Sequence, residues 1–304
     1  MKMFNEENNR THIGHLKKAD NLKSLEPVEK YFLKSVKKHK LEWDYDCVAD
    51  EVPWFRTFSY CEFAGCFMMY PLAPILRNRQ IREAYEDSYL SVDYIKYLKS
   101  RIETKSSNKY KNRVSTNLPH REHLIIPVGG NKLKETVCIN KVKYIVDSHK
   151  DNVYLKPHPL TEHRLVGELK DILGDDVVLD RDVDVYELLP EAKVVHTSHR
   201  SESIVYATAL GKEIDCIDTY QKANEGSFFH VADPLFEART IEDRQRWIQR
   251  IFNSYKSGIV NPDLDEDWQA KIDNYLAYIL TMRDEYKNKY VWNKSGTMEW
   301  SKKK

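Results

Sequence analysis

Glycine is scarce in this chain: ten residues in 304, about half the usual share. Folds that need a glycine at every turn, such as small β-barrels and solenoids, are therefore disfavoured. No GxxxxGK[ST] and no GxGxxG occurs, so the two commonest nucleotide-binding signatures are absent. Cysteine is sparse as well. Cys47, Cys61, Cys66, Cys138 and Cys216 are odd in number and form no CxxC pair, which points to reduced thiols in a cytoplasmic protein and away from a disulfide framework. No Cys/His ligands cluster at short spacing, so no structural zinc site is expected. Long apolar runs are missing too. The best stretch, Phe63–Leu76, is too short for a bilayer and contains Pro71 and Pro74, so it reads as buried core. Residues 1–18 are polar and lack the apolar centre of a secretory signal. Neither sign of charge dominates. With 48 Lys+Arg against 47 Asp+Glu the net charge is +1, which excludes a protein that is basic all over.

What is present is enough apolar material for a sizeable core, 41% hydrophobic with 12% aromatic, and a regular rhythm in the second half. His123–Val128 is a short apolar run ending in Gly129-Gly130. Leu133, Val137, Val142, Ile145 and Val146 then follow a helical period. The pattern predicts a strand at 153–155, a helix at 162–173, a strand at 177–179, a helix at 183–189, a strand at 193–196, a helix at 201–210 stopped by Gly211, and a strand at 214–217. Strands alternating with short helices imply βαβ units and a parallel sheet. Residues 121–220 thus read as a Rossmann-like half of five strands. The tail reads as two amphipathic helices, the first capped by Thr240. In the first 120 residues, 24–39 and 79–102 read as helices and Tyr45–Ala49 as a strand ending at Asp50-Glu51. Residues 105–120, rich in Ser, Asn and Lys, read as a linker.

Two segments carry chemistry. Lys156-Pro157-His158-Pro159 sits at the carboxyl end of a predicted strand, where open α/β sheets bind ligands. The prolines stiffen the turn, and Lys156 and His158 are two donors suited to a phosphate. Two strands later, the turn holding Ser198, Ser201 and Ser203 leads into a helix. A helix start with hydroxyls beside it favours anions, although Ser198 or Ser201 also suits plain N-capping. Gly129 and Gly130 either let backbone approach a nucleotide or make a tight turn. Asp180, Asp182 and Asp184 have the spacing of a metal motif but read better as a helix-start acid cluster with Asp182 as N-cap.

The His-Pro turn, the later Ser-rich turn and the helix ending in Gly211-Lys212 together resemble the donor half of GT-B glycosyltransferases. They are most similar to the bacterial sialyltransferase, Kdo-transferase and polyglycerolphosphate-transferase group. The resemblance implies two Rossmann-like halves, here an α/β chain with a reduced, mostly helical N-terminal half and a C-terminal helical tail. It implies an acceptor-side domain at 1–120, a donor-binding domain at 121–235 and C-terminal helices at 236–304 packing across both. It places His158 on the donor phosphate, with Ser201 and Ser203 as the paired hydroxyls and Ser198 as a helper. This chain splits that pair with Glu202. The group also carries an acidic pair after an N-terminal strand, so Asp50 or Glu51 is the expected general base. Inverting transfer without metal or resident cofactor follows, from a CMP- or UDP-linked sugar.

Charge divides along the chain. Residues 1–120 hold 21 basic and 16 acidic residues, leaving 27 and 31 for 121–304. Arg101, Lys105, Lys109, Lys111, Arg113 and Arg121 face only Glu103 in that stretch, so Lys105, Lys109, Lys111 and Arg113 are candidate contacts to an acceptor's phosphate backbone. Phage enzymes that glycosylate hydroxymethylated cytosine in DNA use GT-B folds, which makes a modified base in duplex DNA one expected acceptor. The alternatives are a surface glycan, a glycerol- or ribitol-phosphate transferase on the same scaffold, and a non-catalytic binder of nucleic acid or nucleotide.

Overall fold

The computed structural model describes residues 25–39, 42–44, 47–49, 56–71, 74–89, 91–104, 114–115, 117–129, 132–199, 201–219, 233–292 and 300–302. In chain order these form α1 (Leu25–Lys38), β1 (Glu42–Asp44), β2 (Cys47–Ala49), β3 (Arg56–Phe63), β4 (Cys66–Pro71), α2 (Pro74–Glu86), α3 (Tyr94–Glu103), β5 (His123–Ile126), α4 (Lys132–Thr136), α5 (Ile139–His149), β6 (Val153–Leu155), α6 (His163–Leu173), α7 (Val185–Leu188), β7 (Val194–Thr197), α8 (Ser203–Ala209), β8 (Glu213–Cys216), α9 (Asp233–Glu237), α10 (Ile241–Phe252), β9 (Ile259–Val260), α11 (Trp268–Lys289), β10 (Tyr290–Trp292) and β11 (Trp300–Lys302).

The second half is the expected α/β unit. β5, β6, β7 and β8 are parallel, in the spatial order β6-β5-β7-β8. The predicted strand at 177–179 shrinks to a bridge between Val178 and Leu155, held by Leu155 N–H to Val177 O and Leu179 N–H to Leu155 O, each 2.9 Å. With that bridge the order is 3-2-1-4-5, that of a Rossmann half. Alternation splits the sheet into two cores. Ile125 packs with α5 and α6, through Val142, Ile145, Val166 and Leu169. Leu124, Ile126 and Val195 face the larger core that includes α8 and α10. The order reverses between β5 and β7, and open α/β sheets bind ligands at the carboxyl ends of strands at such a switch point.

The first half differs from the reading of the sequence. Among the described residues, 42–44, 47–49, 56–63 and 66–71 are strands: β1 to β4 form an antiparallel sheet that β9 completes. A Rossmann-like half would be parallel. The β3–β4 hairpin turns on Ala64 and Gly65, both at positive φ, +52° and +78°, the backbone of a two-residue primed turn. At Gly65 a Cβ would also lie 2.4 Å from the Arg101 guanidinium, which would have to move aside. The stretch expected as one helix at 79–102 is two, α2 and α3, with Asp93 capping the second by accepting from Lys96 N–H at 3.0 Å.

Helix α10 begins at Thr240, whose hydroxyl accepts from Asp243 N–H as expected. It packs on α2, α3 and α8 and against β9, so it touches both sheet units. Helix α11 packs on α1. Under it lies a dry charged cluster: Lys271 and Asp265 pair at 3.0 Å with side chains 1% and 2% exposed. Tyr94 Oη donates to the same carboxylate, Asn261 N–H does so at 2.8 Å, and Lys271 also donates to Phe252 O. No helix among the described residues is long and apolar enough to cross a membrane.

Candidate functional site

Parallel pairing of β5 with β6 and β7 carries three loops to one edge of the sheet: 127–129, 156–161 and the loop after β7, described at 198–199 and 201–203. The first two touch. A Cβ on Gly129 would lie 2.3 Å from His158 Nδ1, so His158 fills the space a side chain would need. Gly129 is thus a seat for the imidazole. His158 is half-buried. Its Nδ1 accepts from Leu160 N–H at 3.1 Å and its carbonyl accepts from Thr161 N–H. An Nδ1 that accepts a backbone proton leaves Nε2 as the N–H of the neutral ring. The turn therefore fixes both the place and the tautomer of His158.

Lys156 opens the same turn. It is 2% exposed, and its ammonium donates to Pro157 O and, at 2.8 Å, to Arg181 O. Arg181 in turn donates to Thr161 O at 3.0 Å. Lys156 and Arg181 thereby lace the turn to residues 180–182. The residues after them behave as a helix start, but Asp184 is the cap, accepting from Tyr186 N–H at 3.0 Å, and Asp182 is not. Asp180 is exposed and lies 3.5 Å from Lys170.

In the third loop Ser198 is fully buried, and its carbonyl accepts from Ser201 N–H at 3.0 Å. Ser201 Oγ accepts from Ser203 N–H at 3.3 Å at the start of α8, the capping role weighed for it. An accepting hydroxyl keeps its own O–H as a donor. Ser203 is buried in the first turn. Glu202 is the residue before α8, and its side chain makes no capping bond.

Asp50, Glu51, Gly130, Lys105, Lys109, Lys111 and Arg113 lie outside the described residues. Two other members of the basic stretch are described, and neither is an open phosphate contact. Arg121 donates to Val153 O and Asp176 O and lies over the Tyr154 ring. Arg101 is buried and donates to Tyr206 Oη. Burial works against its charge, but Tyr206, Tyr97 and Glu62 outweigh it and hold the guanidinium above its ordinary value.

Two polar groupings escaped the sequence reading. On the α5 face of the sheet, His123 meets His196 at 3.0 Å, His196 meets Asp215 at 3.0 Å, and Asp215 pairs with Lys141 at 2.8 Å. Burial, then the neighbouring His149 and His196 rings, hold His123 below its ordinary value. Burial alone would raise Asp215, but bonds from His196 and Lys141 win and lower it. The alternation His123, Ile125 and the pairing of His196 with Asp215 were the available signal. The other grouping, His199 with Cys216 and Asp218, sits where β7 and β8 end.

No protein-family model matches the chain, and no curated protein matches it. Among solved structures, KpsC of Thermosulfurimonas dismutans, a beta Kdo 2,7 transferase, is similar over 71% of this chain and 72% of that one, at 14% identity and a TM-score of 0.35.

Proposed function

We propose that this protein is a glycosyltransferase that binds a nucleotide-activated sugar at the carboxyl ends of β5, β6 and β7. One observation carries the reading: His158 seated on Gly129 at the edge of the switch point, with Nδ1 accepting from Leu160 N–H so that the ring proton of the neutral imidazole lies on Nε2. A neutral imidazole N–H held in place is suited to the donor's phosphate as negative charge develops on the leaving nucleotide. Ser201 and Ser203 hydroxyls are proposed as further donors. Ser198 and Lys156 act beneath them, ordering the two turns. Asp50 or Glu51 is the proposed base that takes the acceptor hydroxyl's proton. The motif resemblance supports CMP or UDP as the nucleotide, a GT-B-like arrangement, inversion, and turnover that requires no added Mg²⁺ or Mn²⁺. The acceptor class most compatible with it is a glycan hydroxyl, because the described members of the basic stretch, Arg101 and Arg121, are occupied within the fold.

The test is acceptor-free hydrolysis. CMP- and UDP-sugars are incubated with the full chain, and release of free sugar is followed. Slow release that falls about 100-fold or more in His158→Ala is expected for a phosphate donor of this kind. No release from either donor class, or release unaffected by His158→Ala, contradicts the assignment.

A further inference from the structure

Strands β7 and β8 run side by side with Thr197 opposite Cys216. Two residues beyond each partner, His199 and Asp218 leave the sheet together. Asp218 Oδ2 accepts from His199 N–H at 3.0 Å and lies 3.2 Å from His199 Nδ1. Cys216 Sγ lies 3.1 Å from the same Nδ1. Asp218 N–H points at Cys216 Sγ at 3.4 Å. One ligand-type atom from each of the three residues lies within 4.8 Å of the others.

Hydrogen bonding alone satisfies this arrangement poorly. A single proton on Nδ1 cannot serve both a sulfur and a carboxylate oxygen. The Asp218 side chain is only 1% exposed, yet its Oδ1 has no hydrogen-bond partner. An unpartnered carboxylate oxygen in a buried site is costly and calls for a counter-charge. Four-coordinate zinc holds N, O and S ligands at about 2.0–2.3 Å, which sets ligand atoms roughly 3.3–3.7 Å apart. The observed separations, 3.1 and 3.2 Å, need only a few tenths of an ångström of opening. Thiolate, imidazole and carboxylate together select a borderline-soft ion of the zinc class over magnesium or calcium.

We propose that His199 Nδ1, Cys216 Sγ and the Asp218 carboxylate form a binding site for a zinc-class divalent cation. Binding forms the metal–sulfur bond and releases the thiol proton to solvent. The ion ties the exits of β7 and β8 together and so fixes Ser198 and His199 where they leave the sheet. The site uses none of the residues proposed to touch the sugar donor and stands or falls independently of that reading.

The test titrates the metal-depleted full chain with Co²⁺, which reports thiolate ligation by a sulfur-to-cobalt charge-transfer band and is displaced by Zn²⁺. One equivalent and a clear band are expected. Cys216→Ser should abolish the band while Cys138→Ser keeps it. Asp218→Asn should weaken Zn²⁺ binding by at least about tenfold, since even the outer partners of metal ligands are worth that much. Wild-type protein that takes up no Co²⁺ overturns the proposal without any variant. A band that survives Cys216→Ser in a folded protein overturns it as well.

Discussion

The Tyr94–Asp265–Lys271 cluster and the His199–Cys216–Asp218 cluster both bury ionisable side chains, but they are finished differently. Around Asp265, both carboxylate oxygens have donors and the Lys271 ammonium has both a carboxylate and a carbonyl. Around Asp218, one oxygen of an equally buried carboxylate has no partner. A completed network fixes a fold. An incomplete one at the carboxyl ends of parallel strands is poised to receive something.

The contrast breaks most sharply at Lys271. Lys271→Met leaves Asp265 charged and dry, and should cost about 3–5 kcal/mol in urea unfolding. Asp218→Asn keeps an acceptor for His199 N–H and should cost clearly less. Equal losses would dissolve the distinction. Next comes Gly129→Ala, which forces a Cβ into the His158 ring. It should cost about 1–3 kcal/mol as an overpacking change and should weaken nucleotide binding, because the imidazole must move. A purely structural glycine would lower stability without touching binding. Thr240→Ala removes only a helix cap, and about 1 kcal/mol should be lost, with no effect on any ligand.

The smallest effect is on pH dependence. His123 is held below its ordinary value, so the fold favours its neutral form. Its contribution is complete above the unfolded value of about 6.5 and is lost as pH falls below that, toward the folded pKa. A Tm profile between pH 8 and pH 5, values chosen to bracket that ordinary pKa, should therefore decline on the acid side, and His123→Gln should flatten the decline.

The parallel unit was legible because its strands are short apolar runs separated by helices with clear periodicity. The strand at 177–179 was nearly lost because only Val178 bridges to Leu155. The antiparallel sheet was hidden because the apolar run from Phe63 reads simply as buried core, and nothing local shows that it pairs back on 56–63. His158 was legible from its place between two prolines at a strand end. The role of Lys156 was not, since nothing local predicts that residue 181 offers it a carbonyl. The His199–Cys216–Asp218 grouping was invisible to a search for short ligand spacing. His199 lies 17 positions before Cys216 and 19 before Asp218, and it meets them only through the register of β7 and β8.

The most direct measurement is a thermal-shift panel of CMP, UDP, CDP and ADP on wild type and His158→Ala, because a ligand that binds the folded state raises Tm. The account predicts a shift with CMP or UDP that is lost in His158→Ala while the variant's own Tm stays close to wild type. No shift with any of the four, or the same shift in His158→Ala, would contradict it.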